Sequence, residues 1–349
     1  MSIKVLAADG RLFIRGGAAR TFKACIGVAI SFENPDEFKS KYIEFFEAIK
    51  EEYAISDPRY IFKSYDLKKI FGKEYVKIEE RFKALFDEQT HINFVFSSFN
   101  IQKMPKVKYY QSDIKATESK STMDFLNKLQ SYYSYISAWK VVKEANLKGL
   151  EIYVDHFGDQ EITKAWIDLN KANKVIVYPK GDQCNVFISS ADLMLDLINF
   201  KMREHRTKLD ITEILSLNIK NINIKNFKVF HSGTNDIGYL VPHFKENKIP
   251  KDNNLAHPLI YVIGEGVLKK ETIWIENSEI YPILLRFAAD KNSGLKFISQ
   301  DDDFKKIREG DYLLYLGDRG KEKASFLTDT LGYRFKTIGL NDLLNIYVF

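Results

Sequence analysis

The sequence predicts two α/β units in tandem: a mixed sheet with flanking helices, then a small parallel sheet. Three observations predict it. The chain opens on two strand-like runs, Ile3 to Ala8 and Phe22 to Phe32. From Leu259 onward, short apolar runs alternate with helical stretches, as a parallel α/β unit requires. Between these regions, Ile188-Ser-Ser-Ala-Asp192-Leu-Met-Leu-Asp196 reads as a strongly apolar helix after a short strand, with Asp192 in its first turn.

At 349 residues the chain is long enough for two cores. The expected division is a first domain over 1–206, a connecting strand or linker over 207–228 and a second domain over 229–349. Asp9-Gly10 and Gly16-Gly17 carry turn chemistry. Asn34-Pro35 opens a helix to about Tyr53, with Phe38, Tyr42, Phe45, Phe46 and Ile49 at helical spacing. Tyr60 to Ser64 reads as a short strand, Val76 to Phe86 as a helix and Ile92 to Ser97 as a buried strand. Residues 101–121 form a polar, Lys-rich loop. A helix from about Thr122 to Ala145 precedes the strand Leu150 to Val154, which ends at Asp155. A helix near Glu161 to Asn173, the strand Lys174 to Tyr178 and a strand near Asn185 to Ile188 lead into the Asp192 helix. The second unit reads as strands over 259–263, 295–299, 312–316 and 333–338, separated by helices over 278–289, 302–308 and 320–331.

Composition narrows the function classes. Hydrophobic residues make up 45% and charged residues 28%, which suits a globular chain. A net charge of +5 gives no whole-molecule basic field of the kind that advertises nucleic acid. Cys25 and Cys184 have no metal-type spacing and read as free thiols of a reducing compartment. No apolar run reaches the roughly 18 residues of a membrane span, and the expected location is the cytoplasm.

Four acids stand where a mixed sheet could gather them: Asp9, Asp66, Asp155 and Asp192. Each also has a structural reading, as a turn residue, a helix cap or a partner of the helix dipole. Asp196, one turn beyond Asp192, is a further candidate ligand or a partner for a lysine. A gathered set of carboxylates is what divalent-metal phosphodiester hydrolysis needs, because hard oxygen ligands hold Mg²⁺ or Mn²⁺.

The order of these acids resembles the DUF3800 family, whose members have an RNase H-like fold. The segments that carry the resemblance are Leu6-Ala-Ala-Asp9-Gly10, Cys25-Ile-Gly-Val-Ala-Ile30, Tyr65-Asp66-Leu67-Lys68, Ile152-Tyr-Val-Asp155 and Ala191-Asp192-Leu193. They cover roughly residues 1–206. Gly10-Arg11 stands where that family has Glu-Ser, and Asp66 where it has Glu. The resemblance implies a metal-dependent nuclease in which Asp9, Asp155 and Asp192 bind Mg²⁺ or Mn²⁺ and Asp66 assists. The alternative is an inactive RNase H-like module that binds nucleic acid or a protein partner in a defence or repair complex, such as one associated with Argonaute. Candidate nucleic-acid contacts are Lys201, Arg203 and Arg206 at the end of the Asp192 helix, and Lys106, Lys108 and Tyr109 in the polar loop. A third reading makes the second unit a nucleotide sensor, with Gly317-Asp-Arg-Gly320 between a strand and a helix start.

Overall fold

The computed structural model describes residues 3–14, 22–100, 118–155, 169–204, 217–223, 229–231, 255–264, 275, 278–298, 306–330, 332 and 334–347. They form a mixed sheet and a parallel sheet, each flanked by helices. Strands β1 (Val5–Ile14), β2 (Phe22–Phe32) and β3 (Thr90–Asn100) make an antiparallel meander. Strands β4 (Glu151–Val154) and β5 (Lys174–Val177) extend it in parallel beyond β1. On the far edge, β6 (Ile222–Asn223) and β7 (Val229–His231) pair with β3.

β1 is longer than its sequence pattern predicts, and Asp9-Gly10 lies inside it rather than at a turn. Gly10 is paired directly with Gly27 of β2. A Cβ on Gly10 would meet the carbonyl oxygen of Gln130 at 2.1 Å, and one on Gly27 that of Tyr133 at 1.9 Å. The two glycines are therefore a flat pad on which helix α4 (Glu118–Glu144) rests its backbone. Strand alternation then sends Leu6 and Ala8 into the α4 layer with Ala138 and Val141. Val5 and Ala7 go to the opposite layer.

That opposite layer is built from α1 (Pro35–Glu52), α2 (Ser64–Phe71) and α3 (Tyr75–Phe82), inserted between β2 and β3. Phe38, Tyr42, Phe46 and Ile49 of α1 are all buried there, as their spacing predicts. Tyr60 to Ser64 is not a strand; the chain runs irregularly until α2 begins at Ser64. After β5 comes a single helical turn, α5 (Gly181–Cys184), and then α6 (Val186–Glu204). The expected strand near Asn185 to Ile188 is thus the start of α6. Asn185 decides this, because its Oδ1 accepts the N–H groups of Phe187 (3.0 Å) and Ile188 (3.1 Å) and so caps the helix.

The second sheet is wholly parallel, in the order β11 (Lys336–Gly339), β10 (Tyr312–Tyr315), β8 (Leu259–Ile263), β9 (Gly294–Phe297). Helix α7 (Ile280–Asp290) covers it and buries Leu284, Leu285, Phe287 and Ala288. Helix α8 (Gly317–Ser325) follows β10, and α9 (Leu340–Tyr347), which the sequence pattern does not predict, follows β11. Of the helix expected over 302–308, residues 302–305 lie outside the described residues, and Ile307 and Arg308 are not helical. Between the sheets, the Ala256 N–H donates to the Val177 carbonyl (2.8 Å), Arg286 to the Pro58 carbonyl (2.8 Å) and the Tyr60 hydroxyl to Asp290 (3.1 Å). Among the described residues, no helix is long and apolar enough to cross a membrane.

Candidate functional site

The acids of the first unit meet on the α6 side of β1. Asp9 and Arg11 are two apart on one strand, so both side chains leave the sheet on that side, above Val5 and Ala7. Asp155 follows the last residue of β4, the strand parallel to β1. Asp192 and Asp196 are one helical turn apart on α6, and both are buried, at 4% and 1% exposure. Asp192 lies in the second turn of α6, not the first, so it is not held by the helix N-terminus as the sequence suggests. Asp182, in the α5 turn, completes the group.

Each carboxylate has a definite partner. Arg11 spans the two α6 acids, with Nη2 on Asp192 and Nη1 on Asp196 at 2.9 Å. The second Asp192 oxygen accepts the Ser64 N–H at 2.8 Å, which seats the first residue of α2 on the site. Lys68 of α2 and the Tyr75 hydroxyl (2.8 Å) bind Asp196. Lys63 binds Asp182 at 2.5 Å. Asp155 accepts the Gly181 N–H at 2.6 Å, and Asp9 the Gly10 N–H at 2.7 Å.

Among the described residues, five aspartates therefore face three cations, and burial together with this crowding raises two of the five, Asp9 and Asp182. Asp9 is pushed from 3.8 up to about 7, first by burial, then by repulsion from Asp192, with Asp155 adding to it. Arg11 and the Gly10 amide oppose the rise. Asp182 is also pushed to about 7, by burial and by Asp155, against the pull of Lys63. Glu79 of α3 is raised to about 7 by burial and by Asp196; its Oε1 is buried without a hydrogen-bond partner.

Asp9, Asp155 and Asp192 are thus brought together, as the sequence order suggests, while Asp66 is not. Asp66 sits in the first turn of α2 and pairs with Arg59 at 2.6 Å. Arg59 also grips Asp57 at 2.7 Å, so this is a loop-to-helix clamp. Arg11, Lys63, Ser64, Lys68 and Asp182 belong to the site but do not stand out in the sequence. Strand alternation from Asp9 is the one local signal that points to Arg11. Lys201 and Arg203 lie on the last turn of α6, with side chains outside the described residues. Arg206, Lys106, Lys108 and Tyr109 also lie outside the described residues.

The donor set does not fit a divalent ion as it stands. Among the described residues, no three His, Cys, Asp or Glu side chains are arranged to hold one. Both Asp192 oxygens are taken, by the Arg11 guanidinium and the Ser64 N–H, and one oxygen each of Asp9, Asp155 and Asp182 is taken by the Gly10 N–H, the Gly181 N–H and the Lys63 ammonium.

The sequence profile of a domain of unknown function, DUF8203, matches residues 6–252. This finding corrects the DUF3800 resemblance: the shared order of strand-end acids does not place the chain in that family. An uncharacterized protein of Archaeoglobus fulgidus is 37% identical over 342 residues, covering 96% of this chain and 97% of its own length. No solved structure matches.

Proposed function

We propose that this chain, which belongs to the DUF8203 family, carries an RNase H-like N-terminal unit that binds nucleic acid without cleaving it. The RNase H-like reading is supported by an antiparallel β1–β2–β3 meander continued in parallel by β4 and β5. It is supported too by acids on β1, just after β4 and on the helix that follows β5. The observation that carries the non-catalytic reading is Arg11, whose guanidinium bridges Asp192 and Asp196 in the middle of the acid group. A planar, permanently charged fork satisfies two carboxylates at once and leaves them little capacity to coordinate anything else.

A second reading, a Mg²⁺- or Mn²⁺-dependent nuclease, is favoured by one observation. Burial first, then repulsion from Asp192 and Asp155, raises Asp9 to about 7, and negative charge held in such surroundings suits an added cation. A binding and cleavage assay separates the two. The full chain, incubated with labelled single- and double-stranded DNA and RNA plus Mg²⁺ or Mn²⁺, is expected to bind and leave every strand intact. Mn²⁺-dependent cleavage that Asp9→Asn abolishes would establish the second reading instead.

A further inference from the structure

We propose that the second unit holds the acid centre of the first closed: helix α7 fastens both loops that carry Lys63 and Asp182 into the centre, so access to it is governed from the second sheet. This goes beyond the nucleic-acid reading, because it concerns what covers the carboxylates and not what they bind. The first loop runs from α1 to α2. Its Pro58 carbonyl accepts Arg286 Nη1 of α7 at 2.8 Å, and the same guanidinium lies 4.3 Å from the Tyr60 ring centroid. The Tyr60 hydroxyl donates to Asp290, at the end of α7, whose other oxygen accepts the Tyr347 hydroxyl of α9 at 2.7 Å. Just past Tyr60, Lys63 pairs with Asp182 and the Ser64 N–H donates to Asp192.

The second loop joins β5 to α6 and is held from the same helix. The Lys180 ammonium lies 5.3 Å from the ring centroids of both Tyr281 of α7 and Phe297 of β9, within cation–π range. Pro179 packs on Gly294, the first residue of β9, where a Cβ would come within 2.5 Å of the proline ring. Cys184 is buried in the core of the second sheet. Between these anchors, the Gly181 N–H donates to Asp155 and Asp182 receives Lys63. The contacts close a ring, from α7 through residues 58–60 to Lys63, across to Asp182 and Lys180, and back to α7 at Tyr281. Two packed segments joined in this way shift together, so a change at α7 is felt at the ion pair. That pair is also the cover of the centre. The Lys63 side chain is 40% exposed and that of Asp182 only 8%, so the ammonium stands between this carboxylate and solvent.

Carboxyl footprinting of the full chain tests this: a water-soluble carbodiimide with an amine tag labels accessible carboxylates, and mass spectrometry reads each site. Arg286→Ala is expected to raise labelling of Asp182 about fivefold or more, since it removes both a charged hydrogen-bond donor and a cation–π contact from the first loop. Tyr60→Phe, which loses only the bond to Asp290, should raise it in the same direction by less. Lys63→Met removes the cover itself and sets the upper limit. Asp311, fully buried at the second sheet, reports whether that unit stays folded, and should remain unlabelled in all three variants. Labelling of Asp182 at the wild-type level in the Arg286 and Tyr60 variants, with Asp311 protected, overturns the proposal. So does a rise at Asp182 that Asp311 matches in both, which would mean that the second unit had unfolded and not released a clamp. Either result leaves the nucleic-acid reading standing, since that is decided by the wild-type chain and its oligonucleotides.

Discussion

Among the described residues, one aspartate at the second sheet is fully buried and answered by donors, whereas at the first sheet five share three cations. Asp311, with no exposed surface, precedes β10. One of its oxygens accepts the Leu259 N–H and meets His257 Nδ1, both at 2.8 Å; the other accepts the Arg308 N–H at 2.8 Å. It ties the entries of two neighbouring strands, β8 and β10. Asp9 accepts one N–H, from Gly10, and has the Arg11 charge in its favour, against repulsion from Asp192 and Asp155. Burial alone does not make an aspartate costly. What separates the two is whether donors aimed at the carboxylate outnumber the charges repelling it.

The largest effect that tests this contrast is expected at Asp311. Asp311→Ala leaves the buried Leu259 N–H, the half-buried Arg308 N–H and a histidine without their acceptor, and should cost about 3 kcal/mol. Urea denaturation of the full chain measures the loss, and hydrogen exchange at β8 and β10 locates it. A loss below about 1 kcal/mol would mean that Asp311 is not the staple its bonds describe.

At Asp9 the sign should reverse. A carboxyl whose folded pKa is raised from 3.8 to about 7 binds more protons folded than unfolded between those values. Its favourable contribution is complete below pH 3.8 and is lost as the pH rises through 7. Asp182 and Glu79 act in the same direction over the same window. Wild-type stability should therefore fall between pH 5 and pH 8. Asp9→Asn keeps the Oδ1 that accepts the Gly10 N–H but removes the charge facing Asp192, so it should stabilise the fold by about 1–2 kcal/mol at pH 8. The gain should be smaller at pH 5. Thermal melts at both pH values decide it; a loss at pH 8 would show that the Asp9 charge is needed.

The sequence makes the place of Asp155, just past the end of β4, legible, whereas Asp9 lies within β1 and Asp192 in the second turn of α6, so strand pairing and helix packing bring these two to it. It is less informative wherever a residue acts across the chain. Gly10 carries a turn signal, yet its lack of a Cβ serves the approach of α4, 120 residues on in the sequence. Val186-Phe-Ile188 is an apolar run that fits a strand or a helix equally, and the Asn185 cap decides it. Lys63 meets Asp182 and Arg11 meets Asp196 through tertiary contacts that no local pattern encodes. Asp66 looks like a fourth site acid until Arg59, seven residues upstream, is seen to hold it.

That last pair provides the smallest expected effect. Asp66 is partly exposed, and Arg59 retains Asp57 when Asp66 is removed. Asp66→Ala should therefore cost less than about 1 kcal/mol, the range of ion pairs open to solvent. It should also leave nucleic-acid affinity unchanged, since Asp66 is held by Arg59 outside the acid centre. Asp192→Ala is the contrasting variant, because it strips partners from both Arg11 and the Ser64 N–H that seats α2. If Asp66→Ala weakened binding as much as Asp192→Ala, the boundary drawn between the acid centre and the Arg59 clamp would be wrong. Asp66 would then belong with the acids of α6.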